Sequence, residues 1–395
     1  MPKEILTVLQ VNKLYHPWVG GIETAAGDIA EYLDRKEELR VINLVCQARG
    51  RRQVDHVNGV ETYRAASLGV LSGMPISLDF LLLFKRLASS ADIIILHHPF
   101  PLAFLAYKYF GGGKKAIVWY HSDIVKQSVL KIPFMPSLRY ALNRSARIVA
   151  TNNSIIEHSS LLRDLSARCD VIYFGIDEAK FVRTPELEKQ AESLRQKYGS
   201  PLILAVGRLV YYKGFEYLIE AMNQIPSANL VIVGQGILRP SLERLIDSMG
   251  LQERVHIVDP VDDLRPYYYA CDVFVLPSCE ASEVFGIVQI EAMACGKPVI
   301  NTALPTGVPE VSVDWRTGRT VPPKNPSALA NALHDVLDNQ ERYDRFCRNA
   351  LHEVSARFTK VQFFAALDRL IERAINSAGS ALESRSADLN TDSIV

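Results

Sequence analysis

Ten short runs of consecutive, mostly apolar residues, five in each half of the chain, constrain the fold more than any other feature. In the first half they are ILTVLQV (5–11), VINLVC (41–46), DIIIL (92–96), AIVWY (116–120) and RIVA (147–150). In the second they are PLILAVG (201–207), NLVIVG (229–234), VHIVD (255–259), DVFVLP (272–277) and KPVINT (297–302). A strand that is apolar at successive positions has to be covered on both faces, and a parallel sheet flanked by crossover helices does this. The predicted fold class is therefore α/β, with two doubly wound, Rossmann-like domains. Ligands of such sheets bind beyond the carboxyl ends of the strands, so a cleft where the two domains face each other is the expected site.

The 395 residues are too many for one ordinary core and divide naturally in two. The expected boundaries are 1–175 for the N-terminal domain, 176–200 for a polar linker with a peripheral helix, and 201–358 for the C-terminal domain. A helix over 359–378 is placed to reach back onto the first domain, and 379–395, rich in Ser, Ala and Asp, reads as a flexible tail. Hydrophobic residues make up 48% and charged residues 22%, and no apolar run approaches the roughly 18 residues of a membrane span. The N-terminus enters a strand-like run without a secretory h-region, and the six cysteines form no CxxC pair. These features lead us to expect a cytoplasmic protein without nucleic acid among its partners.

The zero net charge conceals an asymmetry. Residues 1–175 hold 21 Lys+Arg against 15 Asp+Glu, a net +6, and the remainder holds 23 against 29, a net −6. Between Lys114 and Arg147, seven cations face only Asp123. That stretch fits peripheral contact with an anionic membrane or a polyanionic acceptor, and it fits the solvated faces of ordinary helices equally well. The apolar LGVLSGMPISLDFLLLF (68–84) adds to the membrane reading, or is a core helix with its preceding loop.

Three motifs carry chemistry. After the first strand, Gly20 and Gly21 precede a helix beginning near Ile22; paired glycines admit a phosphate to free helix amides, or simply make a turn. The G-x-G-x-x-G dinucleotide fingerprint is missing there, and VGQG (233–236) reads as a tight strand-to-helix turn. In AVGRLVYYKG (205–214), Arg208 and Lys213 flank a loop that follows a strand; a guanidinium fork and a mobile ammonium together suit a diphosphate. In SEVFGIVQIE (282–291), Glu283 and Glu291 are eight positions apart. On an uninterrupted helix that spacing means roughly 80° and about 12 Å, too far for a dyad on one small group. If Gly286 marks the helix start, the amides of Phe285, Gly286, Ile287 and Val288 point at an anion between two polyol ends, the shape of a sugar, a diphosphate and a ribose.

GRLVYYKG followed by SEVFGIVQIEAMACGKPVI resembles the signature of retaining GT-B glycosyltransferases of family 4, and Gly20-Gly21-Ile22-Glu23 resembles their N-terminal glycine loop. HHPFP (97–101), WYHSDIVKQ (119–127) and NTALPTGVPEVS (301–312) are similar to bacterial O-antigen and capsule enzymes, including GDP-mannose-dependent α-mannosyltransferases. The resemblance implies an N-terminal acceptor domain and a C-terminal nucleotide-sugar domain. It gives Arg208 and Lys213 the donor diphosphate, with Gly21 contacting it from the other domain. Glu291 would bind the ribose, Glu283 and the Phe285–Ile287 backbone the transferred sugar, and Pro260 and Val261 the nucleobase. His121 would meet the reactive side of the sugar, so His121, Arg208, Lys213 and Glu283 form the expected catalytic set. His97 and His98 are open between site and packing roles. Tyr15, His16, Glu23 and Lys126 are the acceptor candidates. Leu304-Pro305-Thr306-Gly307 stands where many relatives carry Gly-Gly, which bears on the identity of the sugar.

The activity so implied is transfer of a hexose, mannose from GDP-mannose as the leading reading, to a lipid-linked oligosaccharide of a surface polysaccharide. Retention by front-face substitution is expected, and no spacing suits a metal, so no cofactor is expected. A UDP-sugar-dependent transferase is the nearest alternative. A nucleotide-sugar epimerase or phosphorylase on the same scaffold, and a non-catalytic binding module, come from other classes.

Overall fold

The computed structural model describes residues 5–18, 20–71, 74–122 and 132–376. Its strands are β1 (Leu6–Val11), β2 (Leu39–Cys46), β3 (Gln53–Val57), β4 (Val60–Ala65), β5 (Val70–Leu71), β6 (Met74–Pro75), β7 (Ile93–His98), β8 (Lys115–Tyr120), β9 (Arg147–Ala150), β10 (Cys169–Val171), β11 (Leu202–Val206), β12 (Asn229–Val233), β13 (Val255–Val258), β14 (Val273–Val275), β15 (Val299–Thr302) and β16 (Gly318–Val321). The chain forms two compact units: one runs to Ile172 and takes the chain back from Phe364, the other is Tyr173–Phe363.

The first unit holds an eight-stranded sheet in the order β10-β9-β8-β7-β1-β2-β4-β3, parallel except for β3, which pairs antiparallel with β4. The second holds a six-stranded, wholly parallel sheet in the order β13-β12-β11-β14-β15-β16. Numbered within its own unit, the second sheet runs 3-2-1-4-5-6, and β4-β2-β1-β7-β8-β9 repeats that order in the first. The order reverses between β1 and β7 and again between β11 and β14. Loops leaving those two pairs diverge to opposite faces and open a crevice at the carboxyl edge.

Alternation along β11 explains why these strands are apolar throughout. Leu202, Leu204 and Val206 enter one buried cluster while Ile203 and Ala205 enter the cluster on the other face. With a side-chain period of two, both faces stay dry only if every position is apolar.

Two boundaries differ from the sequence expectation. Residues 176–200 are packed into the second unit: in helix Pro185–Tyr198, capped by Thr184, residues Leu187, Ala191 and Tyr198 join its core. Arg195 also donates to the carbonyls of Tyr269 and Ala270, at 2.6 and 3.2 Å. One buried stripe on a mostly polar helix is enough for this, and a net polar composition hides it. At the other boundary, Ile176 and Thr359 pair as a bridge, with the Ile176 amide donating to Phe358 O at 2.8 Å. The entering and leaving chains are thus tied together inside the second unit.

Helix Lys360–Asn376 carries the chain onward, and its residues from Phe364 belong to the first unit. Phe364 stacks on Tyr32 at 4.0 Å between centroids, and Asp368 accepts from the Tyr32 hydroxyl at 2.8 Å and pairs with Lys36 at 2.9 Å. The expected tail lies outside the described residues. No helix among the described residues is long and apolar enough to cross a membrane. In the basic stretch, Arg147 is committed to Asp170, with Nε 2.6 Å from Oδ2, a partner 23 positions away that a local count of charges misses.

Leu367 is fully buried. Leu367→Ala should cost about 2–5 kcal/mol by lost burial and the cavity left. A urea midpoint equal to wild type would show that the returning helix lies outside the cooperative unit.

Candidate functional site

In the second unit the β11 loop turns at Gly207, runs through a short 3-10 turn at Tyr211–Lys213 and ends on Gly214, which is left-handed at φ 65°. A Cβ on Gly214 would collide with the Pro277 carbonyl, so only glycine lets this loop lie against the one after β14. Gly234 and Gly236 serve the same purpose from the β12 side: a Cβ on either would strike the backbone of Gly207 or Leu209. The VGQG glycines are therefore packing positions that bring three loops together.

That close approach buries Lys213 against Glu283. Lys213 Nζ lies 2.5 Å from Glu283 Oε2, both residues are 8% exposed, and Ser278 Oγ donates to the same oxygen at 2.9 Å. A buried pair of this kind offsets its desolvation only through good geometry and the additional hydrogen bond. Arg208, by contrast, is exposed, with Nη2 3.1 Å from the Tyr212 hydroxyl. The two cations expected to act alike thus differ: Lys213 is already neutralised, while Arg208 presents its charge to solvent.

Glu283 and Glu291 do not share a helix. Gly286, left-handed at φ 73°, caps a helix that runs from Ile287 to Ala294, so Glu283 stands in the preceding loop and Glu291 one turn inside. As Gly286 is the N-cap, the amides of Ile287 and Val288 begin the helix without intrahelical partners. The Phe285 ring is only 4% exposed and packs among Tyr173, Phe174 and Phe358, so it anchors the loop and leaves only its backbone to meet a ligand. Glu291 accepts a 2.6 Å bond from the Tyr268 hydroxyl. Burial raises its carboxyl above the ordinary range and the Tyr268 bond opposes this. Pro260 is exposed in the loop after β13, and Val261 packs against the cluster that contains Tyr268 and Ile290.

Sequence reasoning missed the supports. Gln289 is fully buried and donates to Phe285 O at 3.0 Å while accepting from Asn301 Nδ2 at 2.9 Å. Asn301 Nδ2 also reaches Val308 O at 2.9 Å and Ser312 O at 3.1 Å. The Gly307 amide, in the Leu-Pro-Thr-Gly run, donates to Val284 O at 2.8 Å. The visible signal was a polar Gln289 and Asn301 inside otherwise apolar runs. Ser278 and Tyr268 left no such mark.

In the first unit the helix begins at Gly21, one residue earlier than expected, with Gly20 extended at its N-cap. Glu23 folds back over Gly20, where a Cβ would strike its carboxylate. Gly21 faces open space, with no neighbouring atom within 4 Å of where a Cβ would stand. Tyr15 is 2% exposed and burial pushes its phenol up to about 12, with Glu31 adding to the rise. It packs beneath the helix near Gly27. Lys126 lies outside the described residues.

His121 follows β8 and is 4% exposed, with Nε2 2.9 Å from Nδ1 of His97 at the end of β7. Register explains the pairing: His97 lies opposite Trp119, two residues before His121 on the same face. Burial drives His97 and His98 down to about 3, and drives His121 well below its ordinary value with help from both neighbours. All three are neutral at physiological pH, so His121 acts as a hydrogen-bonding ring and contributes no cation. Since His97 engages Nε2, its other contacts fall to Nδ1.

The same unit holds a cleft of about 430 Å³ that the sequence did not reveal. His16 and Pro17 line it from the β1 loop, with Gln47, Gln53, Asn58 and Asp55 beside Arg64. Arg64 Nε lies 3.0 Å from Asp55 Oδ2, so those two charges cancel and the lining offers mainly amide donors and acceptors. Among the described residues, no group of three His, Cys, Asp or Glu side chains is arranged to hold a metal ion.

Two parallel sheets of this strand order, in two compact units, define a protein of the two-domain GT-B class. Known proteins agree. The family described as Glycosyltransferase Family 4 matches residues 19–180, and Glycosyl transferases group 1 matches residues 187–353. D-rhamnosyltransferase WbpZ of Pseudomonas aeruginosa is 33% identical over 285 residues, covering 71% of this chain and 73% of that protein. O-antigen chain mannosyltransferase C of Escherichia coli is 28% identical over 386 residues, 96% of this chain and 100% of that one. Anabaena HepE, crystallised with UDP, shares the fold at a TM-score of 0.75 and 20% identity, covering 93% of this chain and 100% of its own. The chain belongs to the family-4 glycosyltransferases.

Two outcomes test this geometry. Lys213→Ala leaves Glu283 buried with only Ser278, which should cost about 3–5 kcal/mol in urea unfolding. K213M/E283Q should recover most of the loss, and a neutral Lys213→Ala would show that the pair is not buried as described. For the histidines, the unfolded state takes up protons below about 6.5 and the folded state only near 3. Their stabilising contribution is thus complete above pH 6.5 and declines as pH falls towards 3. The decline approaches about 1.4 kcal/mol per pH unit for each ring. His98→Phe should flatten the stability profile by one histidine's share, and an unaltered slope would contradict its neutral burial.

Proposed function

We propose that this glycosyltransferase moves a hexose, mannose from GDP-mannose, onto a hydroxyl of a lipid-linked oligosaccharide of a surface polysaccharide, with retention of the α configuration. Support for mannose comes from the Escherichia coli O-antigen mannosyltransferase, which aligns over 96% of the chain. D-Rhamnose, named for the Pseudomonas relative, is a 6-deoxy sugar with the configuration of mannose at C2 to C5, which supports the same sugar shape.

The observation that carries the chemistry is the Arg208–Lys213–Glu283 arrangement beside the helix start at Ile287. The unstable product is the departing nucleoside diphosphate, and preorganised positive charge where it forms provides most of the acceleration. Arg208 brings the uncommitted charge. The Lys213 ammonium has three donors, so it keeps Glu283 while offering another to a phosphate oxygen. Glu283 faces the transferred sugar, and Glu291, oriented by Tyr268, takes the ribose hydroxyls. These cations and amides carry the diphosphate without a metal ion. The polar cleft around His16, Gln47 and Asn58 takes the acceptor sugar, where amides suit hydroxyls better than charges do.

Thermal-shift titration tests the donor. GDP-mannose should raise the midpoint more than GDP alone and more than UDP-glucose, and Glu291→Ala should remove most of the nucleotide effect. Stronger stabilisation by a UDP-sugar would replace the mannose reading with a UDP-dependent transferase. Turnover unchanged by EDTA is expected; its loss would overturn the metal-free diphosphate site.

A further inference from the structure

Sixteen large apolar side chains stand exposed among the described residues, and six of them fall in one stretch of fifteen positions: Leu68, Val70, Leu71, Ile76, Leu78 and Leu82. Three of the six exceed 65% exposure, at 84%, 66% and 81% for Leu68, Leu71 and Leu78. Leu68 to Leu71 and Met74 to Ile76 make up the paired strands β5 and β6 and the residues beside them, closed by Leu68 N to Ile76 O and Ile76 N to Gly69 O. Leu78 and Leu82 lie one turn apart on the outer face at the start of helix Asp79–Ser90, whose inner face buries Phe80, Leu83, Phe84 and Leu87. That helix settles the ambiguity of residues 68–84: its inner face is core, while its outer leucines and the hairpin before it are not.

Cations border this surface. Gly50 and Ser67 exchange both backbone hydrogen bonds, which sets exposed Arg49 and Arg51 beside Leu68. Neither has an ion pair among the described residues. Exposed Lys85 and Arg86 follow Leu82 by three and four positions on the outer face of the same helix.

We propose that this surface docks the protein onto an anionic lipid bilayer, with the hairpin and the two helix leucines entering the interface and the four cations at the level of the headgroups. A bilayer is favoured over a protein partner because the apolar residues are all aliphatic, whereas protein interfaces concentrate aromatic, Met and Arg side chains at their centres. Exposed cations bordering an apolar face, Arg49 and Arg51 without an ion pair among the described residues and Lys85 and Arg86 lying over the rings of Phe110 and Tyr63, complement anionic headgroups, and a hairpin this short reaches into the interface without spanning it. Docking has a consequence for the proposed function and rests on that reading for it alone. Gln47 and Gln53 of the polar cleft flank the Arg49–Arg51 segment, so the cleft would stand next to the headgroups, where the sugar of a lipid-linked acceptor begins.

Flotation of the full chain tests this, using phosphatidylglycerol–phosphatidylethanolamine vesicles against pure phosphatidylcholine. Wild type should float with the anionic vesicles and release as salt is raised. L68D/L71D/L78D should lower the partition coefficient roughly tenfold or more, and R49E/R51E should abolish the preference for anionic lipid. Both variants should hydrolyse donor like wild type in solution, so loss of flotation with hydrolysis intact separates this surface from the sugar chemistry. Failure of wild type to float, or flotation of the leucine variant at wild-type level, overturns the proposal. Concentration-dependent dimerisation in light scattering that the leucine variant loses would likewise overturn it, assigning the face to a second copy of the chain.

Discussion

Parallel strands buried on both faces leave a protein few places to keep polar chemistry. Along Leu202–Val206 of β11 and from Leu230 to Val233 of β12 each side chain belongs to one of two dry clusters, which leaves no room there for catalytic groups. They collect in the loops beyond the carboxyl ends, and the reversal of strand order between β11 and β14 decides which loops face a crevice. Arg208, Lys213 and Glu283 all come from the loops of those two strands. The glycines at 214, 234 and 236 are the steric condition for that gathering, because the three loops approach backbone to backbone.

The same strand order in the first unit carries the opposite electrostatics. The ends of β7 and β8 carry three imidazoles whose burial makes them neutral, and His121 lies within hydrogen-bond distance of another histidine ring. The second unit buries charge, but as a pair with a supporting hydroxyl. Either arrangement avoids an isolated buried ion, whose desolvation would outweigh most of what it offered a ligand.

Fold class was legible because apolar runs report burial directly, and the second unit's motifs because glycine and charge at a strand end have few explanations. What stayed hidden depended on distance through space. Arg147 finds Asp170 across a strand pair, Glu291 finds Tyr268 from another helix, and Asp368 finds Tyr32 from 336 positions away. Residues 176–200 looked like a linker because their average is polar, while three positions on one helical stripe place them in the core. Tyr15 looked like a ligand contact because it precedes a glycine loop, and nothing in the local sequence reports that it turns inward.

The hidden supports matter most for catalysis. The loop from Glu283 to Gly286 has no regular secondary structure, and a free loop would lose part of its binding energy to ordering on each encounter with ligand. Here Gln289 holds Phe285 from inside, Asn301 holds Gln289, Gly307 holds Val284, and Lys213 with Ser278 holds Glu283, so Glu283, Val284 and Phe285 are set before any donor arrives. The ordering is completed on folding, by buried amides that a one-dimensional reading would count as defects in apolar runs. Preorganisation of this kind lets fixed dipoles stabilise developing charge without rearrangement. It also accounts for polar residues being tolerated at the centre of an otherwise dry core: the amides of Gln289 and Asn301 satisfy one another, the Thr320 hydroxyl and the Val308 and Ser312 carbonyls, and through Gln289 they reach the Phe285 carbonyl of the functional loop.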